Sequence, residues 1–260
     1  MGALSIDPVI KRATVNRDEC VECYACYNGM SQEHLNPTVV RLLRKFFHLI
    51  RVRFDPEPDV CPTAAFEPEE LAWPRLVRRA FSDPRVPHES TGIEGRGTEE
   101  VKTNEVTGRV NIGEAGFTIE FGRPGVGVRF HEIQTMCQAL ARAGVSFEKR
   151  NPVTSLMTDP AAGTLREEIL GEKVLSAIVE IKVAVERTEE IVRLIWSVEK
   201  TLDTVLSIGV STRCGGNGDE TIVAPVLERL GYTLDRAKTN IGLGRASART
   251  GPPPREAVEG

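Results

Sequence analysis

The sequence predicts an α+β protein: a small cysteine-bearing domain, then a sandwich of helices on a sheet in the order strand, helix, strand, strand, helix, strand. Three observations predict it. Four of the six cysteines fall within residues 1–84, three of them within seven positions. Residues 173–183 alternate apolar and polar side chains with the period of a strand. Residues 188–200 carry apolar side chains at helical spacing. With 260 residues and 40% hydrophobic content, the chain is long enough to bury such cores.

The expected organisation is a cysteine domain over 1–84, a Gly/Thr/charged linker or binding loop over 85–112, the sandwich over 113–213, and a C-terminal extension over 214–260. Around Cys20 to Cys26 the chain reads DECVECYACYNGM. A helix is expected from Pro37 to Ile50, with Pro37 suited to the first helical position. Val52 to Phe54 reads as a short strand before the Pro-rich DPEPDVCP, and Pro68 to Phe81 as a helix closed by Ser-Asp-Pro. From His88 to Arg109 large apolar residues nearly vanish, which marks the linker.

In the sandwich, Gly116 to Phe121 is the first strand, Gly122 to Gly127 a turn, and Val126 to Phe130 resumes extended chain. The next helix places Ile133, Met136, Cys137 and Leu140 on one face and stops at Gly144. Val145 to Met157 contains the next extended segment. After the turn TDPAAGT, a strand from Lys173 to Val183 puts Leu175, Ala177, Val179, Ile181 and Val183 on one side. Thr188 to Lys200 is an amphipathic helix with Glu189 and Glu190 near its positive end, and Asp203 to Thr212 closes the series as strand. This order is the split β-α-β arrangement called ferredoxin-like, a name for topology that implies no cluster. It resembles the fold of ACT-type regulatory domains. Beyond it come a Gly-rich turn at Cys214 to Gly218, a short helix ending near Gly231, and a tail of disordered composition.

Short two-residue gaps let one backbone turn present three thiolates to a single cubane cluster, and Cys20-x2-Cys23-x2-Cys26 has that form. A fourth thiolate must come from elsewhere, and Cys61, followed by Pro62, is the natural candidate. A structural zinc site and ordinary buried cysteines are alternative readings, although zinc sites usually present cysteines in separated pairs. At these residues the sequence resembles bacterial-type single-cluster ferredoxins, whose last ligand commonly sits in a Cys-Pro followed by small and apolar residues, here CPTAAF. The resemblance spans roughly residues 14–66. It implies one 4Fe–4S cluster held by Cys20, Cys23, Cys26 and Cys61. Two features depart from the pattern: Tyr24-Ala25 replaces the small residue usual after the second cysteine, and 34 residues separate Cys26 from Cys61.

The other cysteines read differently. Cys137 lies on the apolar face of a helix and is expected in the core. Cys214 sits beside Arg213 in a Gly-rich turn, which would favour its thiolate.

An internal echo points to an anion. Lys102-Thr-Asn104 and Gly108-Arg109 recur at the same offsets as Lys238-Thr-Asn240 and Gly244-Arg245, and Arg96 lies among Gly92, Gly95 and Gly97 just upstream of the first copy. Arg96, Lys102, Asn104, Arg109, Lys238, Asn240 and Arg245 supply cations and amides that suit a phosphate- or carboxylate-bearing ligand. Their order matches neither GxGxxG nor GxxxxGK[ST], so no nucleotide is assigned.

Lys and Arg number 33 against 37 Asp and Glu, a net charge of −4 that gives no overall pull toward nucleic acid or an anionic membrane. No apolar run approaches the ~20 residues of a spanning helix, and the start lacks an export signal, so a cytoplasmic protein is expected. The functional expectation is an iron–sulfur protein or subunit passing single electrons to a partner redox enzyme. The basic residues Arg41, Arg44, Lys45, His48, Arg51 and Arg53 would face an acidic partner. The alternatives are an iron–sulfur oxidoreductase subunit binding a small anionic substrate, and a regulatory protein coupling ligand sensing to redox state. Whether the chain is itself an enzyme stays open at this level.

Overall fold

The computed structural model describes residues 2–9, 13–26, 37–52, 70–88, 108–123, 125–213 and 222–232. In chain order they form β1 (Leu4–Ile6), β2 (Ala13–Val15), α1 (Pro37–Leu49) and α2 (Leu76–Ala80). Next come β3 (Glu114–Phe121), β4 (Val128–Arg129), α3 (Phe130–Arg142), β5 (Ser146–Phe147) and α4 (Pro152–Ser155). The remainder is β6 (Met157–Asp159), β7 (Thr164–Leu165), β8 (Lys173–Val174), β9 (Ala177–Ala184), α5 (Thr188–Glu199), β10 (Leu206–Thr212) and α6 (Val223–Arg229).

The protein is α+β, with small antiparallel sheets. The largest has four strands in the order β10-β3-β9-β5, which is 4-1-3-2 when those strands are numbered along the chain. Period-two patterning explains its inner face. Ala115, Phe117, Ile119 and Phe121 of β3 are buried beside Ala177, Val179, Ile181 and Val183 of β9, with Phe117 opposite Ile181 and Ile119 opposite Val179. Helices α3 and α5 pack together over that face through Ile133, Met136, Cys137 and Leu140 on one and Ile191 and Ile195 on the other. Each large apolar side chain buried this way contributes about 1.5–3 kcal/mol. Glu132 ties the start of α3 to its surroundings, accepting from the Arg129 amide at 3.1 Å and the Asp203 amide at 2.7 Å.

Three expectations need correction. The helix expected over 68–81 is only α2, because residues 70–75 are non-helical; Pro74 has no amide to donate and disfavours helical geometry in Trp73. The extended segment expected within 145–157 is β5, and α4 follows it. There the Asn151 side chain accepts from Val153 N (2.9 Å) and Thr154 N (3.4 Å), with Pro152 in the first helical position. The single strand expected over 173–183 is two, since the Leu175 amide turns aside to Ser82 Oγ at 2.9 Å. Extended chain over 126–130 shrinks to β4, since Phe130 already begins α3. Val52 is not in a strand, and residues 53 and 54 lie outside the described set.

The remaining expected elements are present within a residue or two at most boundaries. Among the described residues, no helix is long and apolar enough to cross a membrane. Of the linker expected over 85–112, residues 89–107 lie outside the described residues, as do the Gly-rich turn at 214–218 and the tail, whereas His88 and Val110 near the linker's two ends are buried.

Candidate metal centre

The short pairing of β4 with β8 sets Arg129 directly opposite Lys173. Like charges facing each other across two strands are unfavourable by a few tenths to ~1 kcal/mol. Here the conflict is answered by the acidic pair that precedes the first cysteine. Arg129 Nη2 lies 2.7 Å from Asp18 Oδ2 and 3.1 Å from Glu19 Oε1, and Lys173 Nζ is paired with Glu19 Oε2. Hydrogen bonding to Arg129 holds the Asp18 carboxyl below its ordinary range, and hydrogen bonding to Lys173 does the same for Glu19. The cysteine run is thereby tethered to the sandwich by charge.

Helix α2 supplies the second tether. Val77 and Phe81 anchor it in the core, Phe81 standing edge-on to Phe130 at 5.3 Å, and this turns Arg75, Arg78 and Arg79 toward the cysteine run. Arg78 is 3% exposed. Its Nη1 donates to the carbonyls of Arg17 (3.3 Å), Asp18 (2.6 Å) and Cys20 (2.8 Å), while its Nε pairs with Glu172. Arg75 donates to Glu22 Oε1 from Nε (3.0 Å) and Nη2 (2.5 Å), and also to the Arg17 carbonyl at 2.7 Å. Arg79 lies over the buried Tyr24 ring at 4.5 Å and pairs with the buried Asp83 at 3.3 Å. Breaking a buried charge pair by removing one partner costs about 3–5 kcal/mol, so α2 holds this loop more firmly than the exposed Asp18 contact does.

Within the loop, Glu22 (φ 55°) and Tyr24 (φ 53°) adopt the left-handed conformation although neither is glycine. That geometry costs on the order of 1–3 kcal/mol per residue and persists only where surroundings impose it. The imposing partners are the Arg75–Glu22 and Arg79–Tyr24 contacts. Successive residues that alternate between right- and left-handed conformation form anion-binding concavities, iron–sulfur sites among them. The Cys20 amide donates to the Asn16 carbonyl at 3.0 Å. Burial pushes the Cys20 thiol up in proton affinity, and a hydrogen bond from the Glu22 amide works against that rise.

The expected ligands divide as follows. Cys20, Cys23 and Cys26 are half-buried on this loop, and Cys61 lies outside the described residues. Among the described residues, no group of three or more His, Cys, Asp or Glu side chains is gathered to hold a metal ion. The donor chemistry nonetheless fits an iron–sulfur group: three thiols spaced by two residues, on a strained loop where the Glu22 amide bonds the Cys20 sulfur. Cys137 is fully buried, and that burial pushes its thiol far above the ordinary range, as expected of a core residue. Of the anion candidates, Arg109 is described; its side chain is mostly buried and lies 3.7 Å from Glu148, so its charge is already engaged within the chain. Arg96, Lys102, Asn104, Lys238, Asn240, Arg245 and Cys214 lie outside the described residues.

Sequence reading passed over Arg75, Arg78, Glu22, Arg129 and Lys173. The partners of Arg75 and Arg78 lie 53 to 94 residues away, and those of Arg129 and Lys173 in the loop lie 110 to 154 away, so no local period marks them. The one available signal was Asp18-Glu19 directly before Cys20, an acidic pair needing cations nearby. No protein-family model matches the chain, and neither does any curated protein or solved structure.

Proposed function

We propose that this chain is an iron–sulfur electron-transfer protein or subunit, with Cys20, Cys23 and Cys26 on the strained loop and Cys61 as the fourth ligand of one 4Fe–4S cluster. Such a cluster supplies single-electron oxidation and reduction when bound, and a full set of four thiolates closes its irons to substrate. The observation that carries the reading is the pair of left-handed non-glycine residues, Glu22 and Tyr24, inside the Cys-x2-Cys-x2-Cys run. A loop that only filled space would have no reason to retain that strain, whereas amides turned toward sulfur stabilise thiolate charge. Glu22 and Tyr24 are buried, and the half-buried thiols remain close enough to the surface for a partner protein to approach. The N-terminal part is, in this reading, a ferredoxin-type module docked on a βαββαβ sandwich. The exposed cations Lys45 and Arg51, with His48 between them, at the end of α1 and just beyond suit an acidic redox partner.

Anaerobic reconstitution with iron and sulfide, followed by metal analysis and EPR of the dithionite-reduced protein, tests this. The expected result is iron and sulfide in cubane proportion and a reducible signal lost in Cys20→Ala and Cys23→Ala. Uptake of zinc alone, or a cluster untouched by either substitution, would refute it.

A further inference from the structure

The two arginines that reach the Cys20 segment are not equivalent. Arg75 is paired with Glu22, a carboxylate 3% exposed and inside the loop itself, and that carboxylate, bonded to the Cys20 thiol, raises the thiol's proton affinity more than Arg75 lowers it. Arg78 meets the loop chiefly through backbone, its Nη2 also lying 4.0 Å from Oδ1 of the exposed Asp18. Its guanidinium collects the Arg17, Asp18 and Cys20 carbonyls with one nitrogen, while its balancing carboxylate, Glu172, sits on the sandwich side. The guanidinium of the Arg78–Glu172 pair therefore lies against the backbone of the first cysteine.

We infer that Arg78 is a positioning residue for the iron–sulfur site, fixing the backbone that carries Cys20 and favouring the reduced state of the bound cluster. The inference rests on the ligand set proposed above. Two physical arguments carry it. Three carbonyls converging on one planar, permanently charged donor fix their segment more rigidly than a mobile ammonium could. One-electron reduction adds a negative charge to the cluster without making or breaking a bond to the protein. A buried cation beside the first ligand stabilises that added charge more than it would in water. Removal of Arg78 would also leave Glu172 uncompensated, which acts in the same direction.

The test uses the full chain with Arg78→Gln and Arg78→Lys. Three readouts are needed: iron and sulfide content, midpoint potential by EPR-monitored titration, and amide hydrogen exchange of residues 17–20 in the cluster-free protein. Arg78→Gln is expected to weaken one-electron uptake at least tenfold, a midpoint at least 59 mV lower, and to speed exchange of the Cys20 amide. Arg78→Lys keeps the charge, so its midpoint should stay within threefold of wild type in equilibrium terms while exchange is as fast as in Arg78→Gln. A midpoint in Arg78→Gln equal to or above wild type overturns the inference. If the wild-type chain takes up no cluster, the ligand proposal fails separately. Exchange then decides alone, and unchanged protection of residues 17–20 in the variants removes the positioning role. Should Arg78→Gln not fold, exchange of the Cys20 amide in Arg78→Lys no faster than in wild type removes that role equally.

Discussion

Arg129 and Lys173 face each other across the two-residue pairing of β4 with β8, and Glu19 is bonded to both. A like-charge cross-strand pair is thus converted into a dock for the segment leading into Cys20. Because Glu19 is only partly exposed, its coupling to Lys173 should exceed that of a typical surface pair. A double-mutant cycle with Glu19→Gln and Lys173→Met is expected to give a favourable coupling of about 0.5–1.5 kcal/mol by urea unfolding. Coupling near zero would mean that the charges are solvated independently.

The two tethers should differ in strength. Asp18 is 69% exposed, so Asp18→Ala is expected to cost much less than loss of Arg78. Arg78→Ala strands Glu172 and uncovers three carbonyls, with an expected cost of about 3–5 kcal/mol. Chemical denaturation of both variants checks the ranking, and equal costs would contradict it.

Gly163 (φ 68°) lies against the Cys137 carbonyl so closely that an added Cβ would stand 2.4 Å from its oxygen. Gly144 has the same φ with nothing within 4 Å. Gly144→Ala should therefore cost only the left-handed penalty, about 1–2 kcal/mol. Gly163→Ala adds overpacking of ~1–3 kcal/mol against backbone, for about 2–5 kcal/mol in all. Thermal unfolding of the two variants measures the difference directly.

Asn151, fully buried, caps α4 and also donates to the Ile178 carbonyl (2.9 Å) and Glu180 Oε2 (3.0 Å). Asn151→Ala removes a cap worth ~0.5–2 kcal/mol and one donor to a buried carboxylate worth ~1–3 kcal/mol. A loss of about 2–4 kcal/mol is expected, and a loss below ~1 kcal/mol would show that the region relaxes around the gap.

His88 is 5% exposed and packs edge-on to Phe81 at 4.8 Å; burial lowers its proton affinity below the ordinary value of 6.5. The folded state thus binds its proton more weakly than the unfolded chain does. Its contribution is complete above pH 6.5 and declines as pH falls from there through the lower folded value. Melting temperature should fall between about pH 7 and 5 in wild type and fall less in His88→Gln. Identical slopes would assign the pH dependence to other groups.

Legibility varied with the range of the interaction. The faces of α3, β9 and α5 were readable because burial against one neighbouring layer imprints a local period. Pro74, Asn151-Pro152 and the break at Leu175 were local signals too, but were outweighed by the apolar runs around them. Of the site, the three clustered thiols were plain, whereas Glu22 and Tyr24 gave no hint of left-handed backbone because glycine was absent there.

The amino-acid order alone determined which segments alternate, which wind, and that three thiols share one short turn, since these depend on neighbours a few positions apart. Only the folded chain decided that Arg78 grips the Cys20 carbonyl and that Arg129 and Lys173 meet over Glu19. Charge attraction and carbonyl hydrogen bonding act through space, and partners 58 to 154 residues apart along the chain have no common period by which to be found.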